Sequence, residues 1–265
     1  MKKFLVMMLM GLLLAGNVSI EAKTTKKTKT THKKTTSTLP VKKGEIKKYG
    51  DYLTTQFFSA KKGKDSKVEL EYPIDGNPQL VSAMRQFIKD RLKSDYTGSL
   101  ESPEGLIRSV LKDKRDVQYE GIGESLTSEI EVEYATPSII TLKDEGYWYG
   151  GGVHGDVWEI GATFLVKDGT VLTTDMFPPI YVMRDTILQG IADKSGVSMA
   201  EVYDGLYNAS EIDYPGVVLI DEDGINFIYQ LYEIAPFSEG IIKCVIAPTP
   251  DLVNSLTPEG QKFFK

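Results

Sequence analysis

His154 is one of two histidines in this 265-residue chain, and it stands in the stretch Tyr147-Trp148-Tyr149-Gly150-Gly151-Gly152-Val153-His154-Gly155-Asp156. An imidazole beside Asp156 and Glu159 could serve as a general base. With further ligands it could hold a metal, but carboxylates and one imidazole make an unspecific set. A base needs a nucleophile within reach, and no Gly-x-Ser-x-Gly pattern offers one. A phosphate cradle leads from a strand into a helix N-terminus; these glycines lead into a strand-like run instead. Gly150, Gly151, Gly152 and Gly155 suit a tight bend or a close backbone approach. His154 therefore reads first as a turn lock bonded to a backbone group. Ligand contact and catalysis with Asp156 or Glu159 stand as alternatives. Tyr147, Trp148, Tyr149 and Trp158 could form an aromatic platform for a sugar or a protein. Strand alternation sets Trp148 on the face opposite Tyr147 and Tyr149.

Three other places carry chemistry-bearing residues. Asp221-Glu222-Asp223-Gly224 invites a calcium reading, but glycine falls at the fourth position and Tyr232 where the closing glutamate belongs. A hairpin turn explains it better. In Tyr232-Glu233-Ile234-Ala235-Pro236-Phe237, Pro236 cannot donate to a ladder, so this is a crossing or a sheet edge. Tyr232 and Phe237 are expected to pack there, with the Tyr232 hydroxyl bonded; the sharper alternative is a partner-binding edge. The single cysteine, Cys244, lies in the apolar run Ile241–Ala247 and reads as a buried small hydrophobe. No metal or cofactor is expected.

The positioning elements follow from periodicity. Val68–Tyr72 alternates apolar and acidic residues as a half-buried strand does. Leu80, Met84, Phe87, Ile88 and Leu92 form one helical stripe over 78–93. A second helix is expected over 103–114, with Ser102 capping and Pro103 leading. Leu126–Tyr134, Ser138–Leu142 and Val157–Val166 read as neighbouring antiparallel strands, and Lys167–Thr170 as a further hairpin turn. Helices are expected over 180–193 and 198–207, the latter with a Ser198/Glu201 capping box. Val217–Ile220 and Ile225–Leu231 make another hairpin, Ile241–Ala247 a late strand, and 251–256 a last helix. Strands and helices are segregated, so the expected class is α+β, a mainly antiparallel sheet with helices packed on it.

The ends and the charge bound location and partners. Lys2 and Lys3 precede the apolar run Phe4–Ala15, too short to span a bilayer and suited to a signal peptide over 1–22. Asn17 stands where a lipid-bearing cysteine would be, so the expected product is exported, periplasmic or extracellular, without a lipid anchor. Residues 23–48 form a Thr/Lys-rich stretch, expected to be a disordered linker able to touch an anionic surface. The chain carries 31 basic and 37 acidic residues; 12 lysines and two glutamates fall within 1–48, which leaves 19 against 35, net −16, in 49–265. Such a body lacks the basic face that nucleic acid needs and would attract a cationic protein.

Tyr149-Gly150-Gly151-Gly152-Val153-His154-Gly155, followed by a hairpin, and the late Tyr232-Glu233-Ile234-Ala235-Pro236-Phe237-Ser238-Glu239-Gly240 resemble the RsiV-like C-terminal domain family. The resemblance assigns that domain to 131–265; residues 49–130 are more distantly similar to the α/β module beside it in the PdaC group of envelope deacetylases. The resemblance implies an extracytoplasmic α+β module. One member type is an anti-sigma factor that senses lysozyme, and another carries a deacetylase domain. Neither activity carries over: only Met1, Lys2 and Lys3 precede the apolar run, and there is no room for a deacetylase. The expected function is a non-enzymatic recognition module of the cell envelope, binding a cell-wall glycan or a cationic protein such as lysozyme. Its ligand residues would be Tyr147, Trp148, Tyr149, Gly151, Gly152, His154, Asp156, Tyr232 and Pro236. The alternative is a polysaccharide hydrolase using His154 and nearby carboxylates.

Overall fold

A computed structural model describes residues 39–113 and 124–265, within one compact unit, Thr38–Lys265. The signal peptide expected over 1–22 and the linker up to residue 38 lie outside the described residues. The linker's last part is corrected: Lys42–Tyr49 is strand β1. Its lysine-rich sequence hides a strand that is held by backbone pairing with Leu53–Lys62, β2. Lysines on an edge strand also discourage a second chain from adding there.

Six strands form the main sheet in chain order. The others are Ser66–Gly76 (β3), Ser125–Ala135 (β4), Ile139–Tyr149 (β5) and Asp156–Leu165 (β6). All neighbours are antiparallel except β3 and β4, which run parallel. A parallel pair needs a long crossover, and helices Pro78–Lys93 (α1) and Glu104–Asp113 (α2) provide it. The class is α+β, as periodicity implies. The domain boundary expected at 130/131 falls within β4, and one sheet runs through it.

Asn77 caps α1 by accepting from the backbone of Gln79 and Leu80, and Pro78 takes the first turn where its missing N–H costs nothing. Buried Leu80, Met84 and Ile88 of α1 join Leu106, Ile107 and Leu111 of α2 in one core with Val68, Leu70, Tyr72, Ile140, Leu142 and Phe164 of the sheet. The helices thus cover one face of the sheet.

The opposite face is covered toward β5 and β6. There a second sheet packs, an antiparallel meander of Val217–Ile220 (β7), Ile225–Tyr229 (β8) and Ile242–Ile246 (β9). Thr141 and Thr163, fully buried and 2.8 Å apart, join the two sheets: Thr141 donates to the Ile220 carbonyl and Thr163 accepts from the Ile220 N–H at 2.8 Å. Gly161 admits the contact, because a Cβ there would sit 2.7 Å from Leu219. Helix Ile180–Ser195 (α3) packs on β9, and Met199–Gly205 (α4) follows with the expected capping box. Pro250–Ser255 (α5) completes the helices. Cys244 is buried in this second core, where burial pushes its thiol up to about 12.

One expectation changes in detail, and the other hairpin turn forms as expected. The Asp168-Gly169 turn forms, with Gly169 at φ 73°, but the chain after it makes only an isolated bridge, Val171 to Phe164. Asp221-Glu222-Asp223-Gly224 is the β7–β8 turn, with Asp221 accepting from the backbone of Asp223 and Gly224.

Candidate functional site

The glycine stretch is the tip of the β5–β6 hairpin. Gly151 and Gly152 take φ values of 96° and 117°, which side chains resist, and added Cβ atoms would meet nothing there. These two glycines are required by the bend and not by crowding. Tyr149 fastens the tip by donating to the Gly152 carbonyl at 2.9 Å. At Gly155 the reason is contact: Tyr147 lies over it, 2.5 Å from where a Cβ would be.

His154 is exposed. Its Nδ1 lies 3.1 Å from the carbonyl of Gly155 and its Nε2 lies 3.2 Å from the Tyr232 hydroxyl. Its ring stacks on Phe237 at 3.9 Å between centroids. The backbone bond fits the turn-lock reading; the exposure does not. His154 lines none of four surface clefts of 300–360 Å³. Neither Asp156 nor Glu159 is bonded to it. Among the described residues no group of three or more His, Cys, Asp or Glu side chains is arranged to hold a metal.

Tyr232 is the one described non-glycine residue with positive φ, 64°. A left-handed tyrosine costs roughly 1–2 kcal/mol, so its surroundings must impose it. Gln230 does much of that. Its side-chain amide donates to the Glu159 carbonyl at 2.7 Å and accepts from the Glu159 N–H at 3.2 Å, imitating a strand partner on β6. Glu233 folds the loop back, accepting from the N–H groups of Gln230 and Gly216. The loop 230–240 is thereby fixed against the hairpin, and Tyr232, Phe237 and His154 meet. Pro236 is exposed and precedes the turn Phe237–Glu239.

The expected ligand residues therefore divide. Tyr147, Tyr149, His154 and Tyr232 gather around the hairpin tip. Trp148 is on the other face, as alternation requires: it is opposite Leu126 and Asp156 in register, and its indole donates to Glu124. Phe237 was expected to pack beside Tyr232, but the holding roles of Gln230 and Glu233 were not legible. The shared Tyr232–Gly240 segment marked the loop, but Gln230 acts across 71 positions, which no local signal carries.

The face of the sheet away from the helices carries a second arrangement, which runs from its exposed part to Glu159, 9% exposed beneath the second sheet. Glu69, Glu129, Glu145 and Glu159 are direct cross-strand partners through β3, β4, β5 and β6. Four carboxylates in one row repel. Lys67 pairs with Glu69, Lys143 with Glu145 at 3.1 Å and with Glu133 at 2.8 Å, and Lys243 with Glu159 at 2.5 Å. Glu129 and Glu131 have no ion-pair partner among the described residues. Desolvation, then Glu129, Glu133 and Glu71, hold the Glu131 carboxyl above its ordinary value. Beside the row, Tyr147 and Val157 pair across β5 and β6 and remain exposed, as does Tyr232.

Residues 185–247 match the family described as "Protein of unknown function (DUF3298)". That segment runs from α3 through β9 and contains the Tyr232–Phe237 loop, but not the glycine hairpin. No curated protein matches the chain. The fold is shared with solved structures of two members of that family. One, from Bacteroides fragilis, has 16% identity and a TM-score of 0.60, covering 85% of this chain and 98% of that one. The other, from Pseudomonas aeruginosa, has 16% identity and a TM-score of 0.53, covering 84% and 96%. At this identity the likeness speaks for the fold alone.

Proposed function

We propose that this protein is an exported, non-enzymatic recognition module of the cell envelope that binds a cationic protein on the open face of its main sheet. The observation that carries the reading is the cross-strand glutamate row. A sheet gains nothing in stability from like charges set opposite one another, and here the lysines offset only part of the row. A partner presenting lysine and arginine would relieve it. The aromatic cluster at the hairpin tip stands beside the row and supplies the apolar contact that a charged surface alone lacks. The strained backbone at Tyr232 fits this, since such strain concentrates where a side chain must be presented. The acidic body, net −16 over 49–265, would speed the encounter.

The hydrolase alternative has less support. His154 is an exposed stacking residue without a cleft or a bonded carboxylate.

The test is calorimetric titration of the full chain with lysozyme, a small and strongly cationic protein, at low and at physiological salt. Binding should weaken as salt rises. The double variant E129Q/E131Q should lose about twofold to thirtyfold in affinity, at about 0.2–1 kcal/mol for each of the two charges. Tyr232→Gly, which relieves the backbone and removes the ring, should weaken binding while leaving the fold intact. No binding at low salt, to lysozyme or to a polylysine control, would end this reading.

A further inference from the structure

The helix-covered face holds a cleft of 300 Å³ where α1 ends above the outer parts of β4, β5 and β6. Its lining includes Arg91, Leu92, Leu126, Ser128, Asp144 and Trp158. Asp144 is only 1% exposed. It accepts from Ser128 Oγ at 2.8 Å, Trp158 Nε1 at 2.8 Å, and Arg91 Nε and Nη2 at 3.1 and 3.0 Å. Burial pushes its carboxyl above the ordinary aspartate value, while Ser128, Arg91 and Trp158 pull it back.

The indole of Trp158 is placed by a glycine. Ser128, Gly146 and Trp158 are cross-strand partners in one row. A Cβ at Gly146 would lie 2.0 Å from the Trp158 ring and 2.6 Å from the Thr127 carbonyl. The ring thus lies across the neighbouring strand, with its N–H anchored on Asp144 and the cleft beside it.

The chemistry of this cleft narrows its ligand. Arg91 and Asp144 neutralise each other, and Lys93, which also lines the cleft, pairs with Asp95 at 3.2 Å, so neither a free anion nor a free cation finds an unmatched charge. Arg91 uses two of its five N–H donors on Asp144 and is partly exposed, at 26% of its side chain. Ser128 donates to Asp144 and keeps its acceptor lone pairs. An aromatic face beside fixed donors and acceptors suits a neutral molecule with hydroxyl groups and one flat C–H face. The volume is at the small end of ligand clefts, about 300–1,000 Å³, which suits a single ring. We propose that this cleft binds a neutral sugar residue of a glycan, its C–H face on Trp158 and a hydroxyl or amide oxygen on the remaining N–H groups of Arg91. The site is on the face opposite the glutamate row and does not depend on it.

The experiment follows tryptophan emission. The chain has only two tryptophans, so Trp148→Phe leaves Trp158 as sole reporter without altering the cleft lining. The full chain carrying that change is titrated with chitotriose and with cellotriose, which lacks the acetamido groups. A saturable emission change with either sugar is expected. Arg91→Lys, which keeps the charge for Asp144 but loses the forked donors, should weaken binding at least fivefold with the melting temperature held. If Arg91→Lys does not fold by circular dichroism, Ser128→Ala takes its place, since Asp144 keeps its other donors, and should weaken binding likewise. E129Q/E131Q should bind sugar like the parent, which separates this site from the protein-binding face. No saturable change with either sugar, or an unchanged Kd in the folded cleft variant, overturns the proposal.

Discussion

Glu129→Gln should make this protein more stable and less able to bind. Glu129 sits between Glu69 and Glu145 in register, and it has no ion-pair partner among the described residues. Directly opposed side chains are about 4.5–5.5 Å apart, and each like-charge pair costs about 0.2–1 kcal/mol. Removing the central charge relieves two such pairs, so a gain of about 1 kcal/mol is expected. For a body of this size that is a rise in Tm of about 2–4 °C. Glutamine is nearly the same shape and keeps polar hydrogen bonding, so the change isolates charge. The assay is thermal unfolding by circular dichroism, at low salt and at about 1 M salt, where the screening length falls to about 3 Å. The gain should shrink strongly at high salt. A lower Tm at low salt, or a gain indifferent to salt, would show that the row does not store repulsion, and the functional reading would lose its main support.

Other perturbations test other parts of the argument. Gly146→Ala drives a methyl into the Trp158 ring and against the Thr127 carbonyl; backbone cannot yield as a side chain can, so a loss of about 1–3 kcal/mol is expected in denaturant unfolding. Gln230→Ala removes both bonds to Glu159; it should cost about 1–3 kcal/mol and should loosen the loop, seen as faster amide exchange over 230–240. His154→Ala removes an exposed stacking contact and should cost no more than about 1 kcal/mol; a larger loss would revive the turn lock. The pH response of Glu131 has a definite sign. Its folded pKa is raised by burial and by neighbouring carboxylates, so the folded state binds its proton more tightly than the unfolded chain does. Its contribution is therefore most favourable below the unfolded glutamate value and is lost as pH rises through the folded value. Glu131→Gln should flatten the stability profile just above the ordinary glutamate range, measured by urea midpoints across pH.

How much was legible depended on whether the signal was local. Helix α1 shows its stripe, α4 its capping box, and the β7–β8 hairpin its Asp-Gly turn. Each rests on residues within a few positions of one another. The first two strands were not legible, because Lys42–Tyr49 and Leu53–Lys62 are too rich in lysine and threonine to alternate, and because backbone pairing, of β1 with β2 and of β2 with β3, holds them. At the candidate site the sequence marked both segments that meet, Tyr147–Asp156 and Tyr232–Phe237. It could not show that His154 would stack on Phe237, nor that Gln230 would hold the loop. The glutamate row was visible only in fragments. Val-Glu-Leu-Glu-Tyr and Ile-Glu-Val-Glu-Tyr each display alternation, but the alignment of Glu69 with Glu129 and Glu145 is set by register.

That register is where the two proposed sites depend on each other. Successive residues of β5 serve opposite faces: Asp144 and Gly146 shape the cleft, while Lys143, Glu145 and Tyr147 belong to the acidic face. A slip of one residue would exchange them, placing Glu145 under the helices and Asp144 in the row. The Thr141–Thr163–Ile220 junction, fully buried at the other end of the same strand pair, guards against this, because both hydroxyls bond to the second sheet only in one register. Replacing both threonines by valine keeps the volume but removes those bonds and leaves the Ile220 N–H and carbonyl without these buried partners. At about 1–3 kcal/mol for each unsatisfied group, the loss should reach several kcal/mol. If register is what couples the faces, sugar and lysozyme binding should fall together in that variant. Loss of one with retention of the other would mean that each face holds its own geometry.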